Sequence, residues 1–216
     1  MAEKTKSQRA RWRQNPDAVR ADILEVATSV FARNGFAGAR IEEIVRRTRT
    51  SKRMIYYYFE DKQGLYLSVL EAAYARVRQG EDALNLEELE PLEALERLVE
   101  FTFDYHRDNP DYVRLVAIEN IHNAVHLEKS DSILTVNLPA ISKLRQICEA
   151  GIEAGVFRPD LNAVELHWLI TSSCIFNVSN RATFEHLYGS ELFSKHGQNN
   201  LKSLIVRSIT RAVLLS

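Results

Sequence analysis

At 216 residues, 45% hydrophobic and 26% charged, the chain has ample material for the core of one large or two small domains. Two cysteines, Cys148 and Cys174, sit in helical-looking contexts and suit reduced thiols rather than a disulfide framework. The net charge of −1 hides an asymmetry: residues 1–62 carry 14 Lys and Arg against 8 Asp and Glu, a net +6 that leaves −7 for the remainder. A basic head on an acidic body is the layout of a polyanion binder with a separate second function. No apolar run is long enough to span a bilayer and the amino-terminal stretch is charged rather than signal-like, so a cytoplasmic protein without a membrane partner is expected.

Residues 1–14 hold almost nothing apolar and are expected to be a disordered basic arm. Its Arg9, Arg11, Arg13 and Trp12 suit phosphates or a minor groove, and an arm without a role is the alternative. Asn15-Pro16 reads as a helix start, with Asn as the cap and Pro at the first helical position. Ile23, Ala27, Val30 and Phe31 form its buried stripe, and Asn34-Gly35 ends it with a residue free to turn left-handed.

Ile41, Ile44 and Val45 then repeat at one-face helical spacing, Thr48 to Ser51 breaks the pattern, and Ile55 and Phe59 repeat at i, i+4. Two short helices joined by a polar turn form the helix-turn-helix plan, whose second helix enters a major groove. The face left for DNA carries Lys52, Arg53, Met54, Tyr56 and Tyr57, with Ser51 as the helix cap.

This stretch resembles the TetR family of bacterial transcriptional regulators. The likeness runs through Ile23-Leu24, Phe31, Gly35-Phe36, Ile44, Ser51, Ile55-Tyr56-Tyr57-Tyr58-Phe59, Lys62 and Leu65. The chain departs from the family at Ala39-Arg40, where a threonine pair is usual, and at Arg49 and Arg53, where glycine is usual. If Arg49 kept a left-handed conformation it would cost about 1–2 kcal/mol; a reshaped turn is the alternative. The resemblance implies backbone contacts for Tyr57, Tyr58 and Lys62, with Tyr56 often among them. Together with Arg40, Thr50 and the face above, these are the expected DNA-binding residues.

Further along, helices are expected from Lys62 to about Gly80, from Pro91 to about Arg107, and from Asp111 to about His126. A stretch from Ser130 to Ala154 is expected to kink or break at Pro139. Asn162 caps an apolar helix to Val178, Gly189 and Gly197 bound a break, and a last helix runs from about Asn199 to Leu215. Nothing alternates at period two for long, so the fold class is all-α. The expected division is an arm at 1–14, a helix-turn-helix domain at 15–62 and a helical body at 63–216.

Asn162–Val178 is apolar on nearly every side and must be covered. The resemblance implies a homodimer through this helix and the last one, reading a palindromic double-stranded operator. It also implies an unidentified small-molecule effector, and the second half resembles the branch that senses pyrimidine-type and other small planar molecules. Aromatic rings beside amides mark candidate effector contacts: Phe101, Tyr105, Tyr112, Asn120, His122, Asn123, Trp168, Ser172 and Asn177. Glu119-x-x-His122 is a di-iron ligand pattern, and His122 and His126 lie i, i+4. No second Glu-x-x-His occurs, so neither metal nor cofactor is expected. No catalytic signature is present. The reading is therefore a ligand-responsive repressor rather than an enzyme, with a metal-dependent helical oxidase or a non-specific DNA binder as alternatives.

Overall fold

The computed structural model describes residues 15–215. Among them lie ten α-helices, and the isolated bridge between Phe157 and Leu214 is the extended pairing. The chain divides into two compact units, 15–73 with 114–130, and 74–113 with 131–215. The arm at 1–14 falls outside the described residues.

In the first unit, α1 (Pro16–Gly38) is started by Asn15, whose side chain accepts from the Ala18 amide at 3.2 Å. Its buried stripe includes Val19, Ile23, Ala27, Val30 and Phe31. Gly35, at φ 67° and ψ 175°, interrupts the helix where the sequence places its end. Two short helices follow, α2 (Ile41–Arg47) and α3 (Lys52–Phe59), which bury Ile41, Ile44, Ile55 and Phe59. Ser51 caps α3 by accepting from Met54 N at 3.3 Å. Arg49 is not among the left-handed residues of this turn, so the chain takes the reshaped-turn alternative and avoids the strain.

Strain appears eleven residues later instead. Glu60 has φ 65° and ψ −60°, and Asp61 N donates to Phe59 O at 2.7 Å across it. This is the rarer, strained hand of γ-turn. The chain then enters α4 (Lys62–Asp82), capped by Asp61, which accepts from Gly64 N at 2.7 Å. A Cβ on Gly64 would run into the Phe59 carbonyl, so this turn has room for glycine only.

The second unit takes the rest of α4, then α5 (Pro91–Asp108) and the first residues of α6 (Pro110–Ile121). It continues with α7 (Asp131–Glu153), α8 (Ala163–Ser179), α9 (Arg181–Tyr188) and α10 (Lys195–Val213). Helix α5 lies against α7, α8 and α10, and its Leu95, Leu98, Val99 and Phe103 fill the centre with Leu144, Phe157, Leu166, Ile170 and Ile209. Burying such side chains is the main driving force for the unit. A Cβ on Gly151 would strike the Phe157 ring, and Leu215 N donates to Val156 O at 3.0 Å, closing the carboxy-terminal end.

The structure corrects three sequence expectations and adds one helix. Helix α7 runs through Pro139 as one helix; Pro139 and Thr135, whose carbonyl loses its partner, are both exposed. Helix α6 ends at Ile121 rather than near His126, because Asn123 and Ala124 turn left-handed at φ 57° and 59°. Helix α9 lies before the Gly189 break, in a stretch that the sequence reading leaves unassigned. Gly197 lies inside α10, not at a boundary: Ser194 caps the helix, and a Cβ on Gly197 would strike the Glu191 and Leu192 carbonyls. Glycine there permits close packing, a role that looks identical to a helix stop in a bare sequence.

Candidate DNA-binding surface and effector site

Helix α3 presents most of the expected DNA contacts to solvent. Arg40, Ser51, Lys52 and Arg53 are exposed, Tyr56 is 39% and Tyr57 76% exposed, and Thr50, Met54 and Tyr58 are half-buried. Ile55 and Phe59 on the opposite face are buried, which fixes the rotation of the helix. Lys52 is engaged: its ammonium donates to Glu42 at 2.6 Å and lies 5.8 Å from the Tyr56 ring centre. The hydrogen bond and charge of Glu42 raise the Lys52 pKa, and the same contact lowers that of Glu42. Any phosphate must compete with this exposed pair, which is a weak restraint.

Lys62 is tucked in. Its ammonium lies 4.9 Å from the Phe36 ring centre and donates to Ala37 O at 3.4 Å, and burial lowers its pKa. Phe36 in turn meets Tyr66 at 5.3 Å and His126 at 4.5 Å between ring centres. Below these rings lies Glu119, 1% exposed. Its carboxylate accepts from Tyr66 OH at 2.8 Å, His126 N at 3.2 Å and Leu127 N at 3.3 Å, and pairs with His126 Nδ1 at 3.0 Å. Glu119 thus ties residues 122–127 into the first unit.

This arrangement uses up the proposed metal ligands. Glu119 spends its oxygens on hydrogen bonds, His122 is exposed in the turn after α6, and the i, i+4 relation of His122 to His126 is not helical. Among the described residues, no group of three or more His, Cys, Asp or Glu is assembled to hold a metal.

The expected effector contacts separate. Phe101, Tyr105 and Tyr112 come together in the second unit, at 5.5 Å and 6.0 Å between successive ring centres. Asn120, His122 and Asn123 belong to the first unit and are exposed; Asn120 donates to Val116 O at 2.9 Å. Trp168 stands 71% exposed on α8 instead of lining an interior. Ser172 donates to Leu169 O, and Asn177 is buried in a reciprocal amide pair with Gln198 at 2.8 and 3.0 Å. A helix apolar all round gives no clue to which side faces in, so the sequence misplaces Trp168.

Four residues of the aromatic cluster escape a sequence reading. Tyr74 meets Tyr112 edge-on at 5.6 Å. Arg78 and Glu81, both nearly buried, pair at 2.6 Å. His106 is 3% exposed and stacks on Tyr112 at 5.6 Å and 18°. Burial, then the charges of Arg78 and His167, push the His106 pKa down to about 4, so this ring is neutral at pH 7. Burial also raises the carboxyl of Glu81 and the phenols of Tyr105 and Tyr112. Tyr74, Arg78 and Glu81 fall at i, i+4 and i+7, a polar stripe on a helix that otherwise reads as amphipathic; that stripe was the available signal.

Elsewhere in the second unit, a cleft of about 440 Å³ opens between residues 86–94 and α7, beside Lys143, Gln146 and Ile147. A smaller apolar hollow of about 170 Å³ lies among Phe176, Phe184, Phe193 and Leu201.

An exposed aromatic and basic recognition helix, carried by a chain whose second half is a separate helical unit, defines a helix-turn-helix DNA-binding regulator. Residues 23–69 match the family described as bacterial regulatory proteins, tetR family, and residues 91–209 match the tetracyclin repressor-like carboxy-terminal domain. The chain belongs to the TetR family, whose members are DNA-binding regulators rather than enzymes. It is 37% identical over 202 residues to the HTH-type transcriptional repressor NicS of Pseudomonas putida, covering 92% of this chain and 95% of that one. It is 27% identical to the HTH-type transcriptional regulator RutR of Escherichia coli K12, over 87% and 88% of the two chains. A tetR-family regulatory protein from Rhodococcus RHA1 shares the fold at a TM-score of 0.72 and 20% identity, covering 92% of this chain and 98% of that one. The family gives the metal-oxidase alternative no support. No helix among the described residues is long and apolar enough to cross a membrane.

Proposed function

We propose that the protein is a cytoplasmic homodimeric repressor, released from a palindromic operator by a small molecule. TetR-family regulators bind operators as dimers and respond to small-molecule effectors, and the NicS relative is named a repressor. The observation that carries the reading is the two-sided α3, with Ile55 and Phe59 buried and Arg53, Tyr56 and Tyr57 open to a groove. DNA contact is assigned to residues 15–62, with Arg53 reading bases and Lys52, Tyr57 and Lys62 meeting phosphates. The effector is assigned to residues 63–216, around Phe101, Tyr105 and Tyr112.

Dimerisation is assigned to α8 and α10. Val164, Trp168 and Phe176 on α8 and Leu204 on α10 are exposed apolar side chains, and so many large ones on two helices call for a cover. In a two-fold dimer the half-sites lie about 34–36 Å apart or a multiple of it. Footprinting on the DNA flanking the gene tests the reading. One short protected inverted repeat is expected, whereas protection without sequence preference would leave a non-specific DNA binder. Sedimentation of Trp168→Glu, with a shift toward monomer expected, tests the interface.

A further inference from the structure

Three helices of the second unit bring polar groups to one buried point. Arg78 on α4 has a side chain only 12% exposed. One terminal nitrogen is held by Glu81 at 2.6 Å, but Nε is buried and has no hydrogen-bond partner. His106 on α5 is likewise buried with an unpartnered Nδ1. Buried polar atoms are almost always satisfied in folded proteins, so two such nitrogens in one cluster point to a ligand. The Arg78 charge reaches widely: it acts on Tyr105, His106, Tyr112 and, on α8, His167. The His106 ring stacks on Tyr112, and Tyr105 meets Tyr112 edge-on, so aromatic surface lies beside these nitrogens.

We propose that this cluster recognises the effector and that the effector is a small planar acid, its oxyanion accepting from Arg78 Nε and its ring lying against Tyr105 and Tyr112. The proposal rests on the effector reading above and adds the ligand class. Arginine only donates, so whatever meets it carries an acceptor. The choice of an anion over a neutral carbonyl follows from charge. Glu81 holds one terminal nitrogen of Arg78 and leaves Nε free, and burial raises the Glu81 pKa, which weakens the offset of the guanidinium charge. Burial holds both nearby histidines toward neutrality, so Arg78 is the cation of the cluster. A carboxylate presents two oxygens, one for Arg78 Nε and one for the histidine, and its bond to the guanidinium is charge-assisted, which a neutral carbonyl does not match. His106 Nδ1, in its protonated tautomer, donates to the second oxygen of the same group.

Calorimetry on the full chain with benzoate, benzamide and benzylamine tests the class, since the three share a ring and differ in charge. Benzoate is expected to bind once per chain, on the order of tenfold or more tighter than benzamide, the usual scale of a charge-assisted hydrogen bond. Arg78→Met combined with Glu81→Leu removes the pair without stranding either partner, and a cooperative thermal melt checks that it folds. That variant is expected to lose the preference for benzoate. Equal binding of acid and amide, a preference that survives in the double variant, or no saturation by benzoate or 2-naphthoate at millimolar concentration overturns the proposal. Operator titration in parallel separates the two readings. An acid that binds through Arg78 and leaves operator affinity unchanged removes the switch and keeps the ligand class; release by a neutral compound alone keeps the switch and removes the class.

Discussion

The α3 surface and the cluster around Arg78 are made of the same materials, tyrosine rings and arginine, yet the two sites work in opposite solvent conditions. On α3 the side chains stand in water, their positions set by two buried residues of the same short helix. Around Arg78 the rings come from α4, α5 and α6, the polar atoms are buried, and burial with the Arg78 charge shifts the protonation of His106 and Tyr112. The first site depends on local spacing and the second on long-range packing. A surface site tolerates substitution with little loss of stability, whereas a buried polar site couples binding to folding.

The comparison breaks first at Glu119, a buried polar centre in the unit that carries α3. Glu119→Ala removes the carboxylate that accepts from Tyr66 OH and from three donors of residues 126–127, and about 3–5 kcal/mol of stability should be lost. Chemical denaturation measures this, and a variant as stable as the parent would show that the network is decorative. Next in size is the pH response of the buried histidine. Its folded pKa of about 4 lies below the ordinary 6.5, so the unfolded chain binds the proton more readily. Stability is therefore full above pH 6.5, falls as pH drops, and levels off below 4, a loss of about 3 kcal/mol. His106→Gln should flatten that part of the pH–melting profile, and an unchanged slope would assign it elsewhere.

At the exposed site, effects on stability should vanish while effects on recognition remain. Arg53→Ala should relax preference at one base position per half-site by about 1–2 kcal/mol, read by selection from randomised operators. An identical selected motif would remove Arg53 from base reading. The smallest effect belongs to Lys52→Ala, which should weaken all sequences alike and reduce the salt slope by about one. The lysine already has a partner in Glu42, so a change smaller than that is the sign that it never leaves it.

What was legible in the sequence follows the same division. Caps at Asn15, Ser51 and Asn162, and the buried pairs Ile41/Ile44 and Ile55/Phe59, are local patterns, and the structure reproduces them. Phe101, Tyr105 and Tyr112 were reachable because aromatic rings on neighbouring helices tend to meet. Arg78 and His106 were not, because a charged residue on a helix normally reads as solvated surface. The end of α6 was hidden because Asn123 and Ala124 take left-handed conformations without a glycine to announce them. Trp168, 71% exposed, was misplaced because a helix apolar on nearly every side does not mark which side faces in.

The Glu119 tie has a bearing on how the protein is made and remade. The helix-turn-helix is complete by residue 62, but the unit that contains it also includes residues 114–130. At synthesis rates of about 5–20 residues per second, several seconds separate the emergence of Tyr66 from that of Glu119. During that interval a nascent chain exposes Phe36 and Tyr66 without their cover. The same holds for chimaeras: a reader head cut after residue 62 and grafted onto another body leaves its closing segment behind. A transplant that keeps its shape has to carry two separated pieces of the chain.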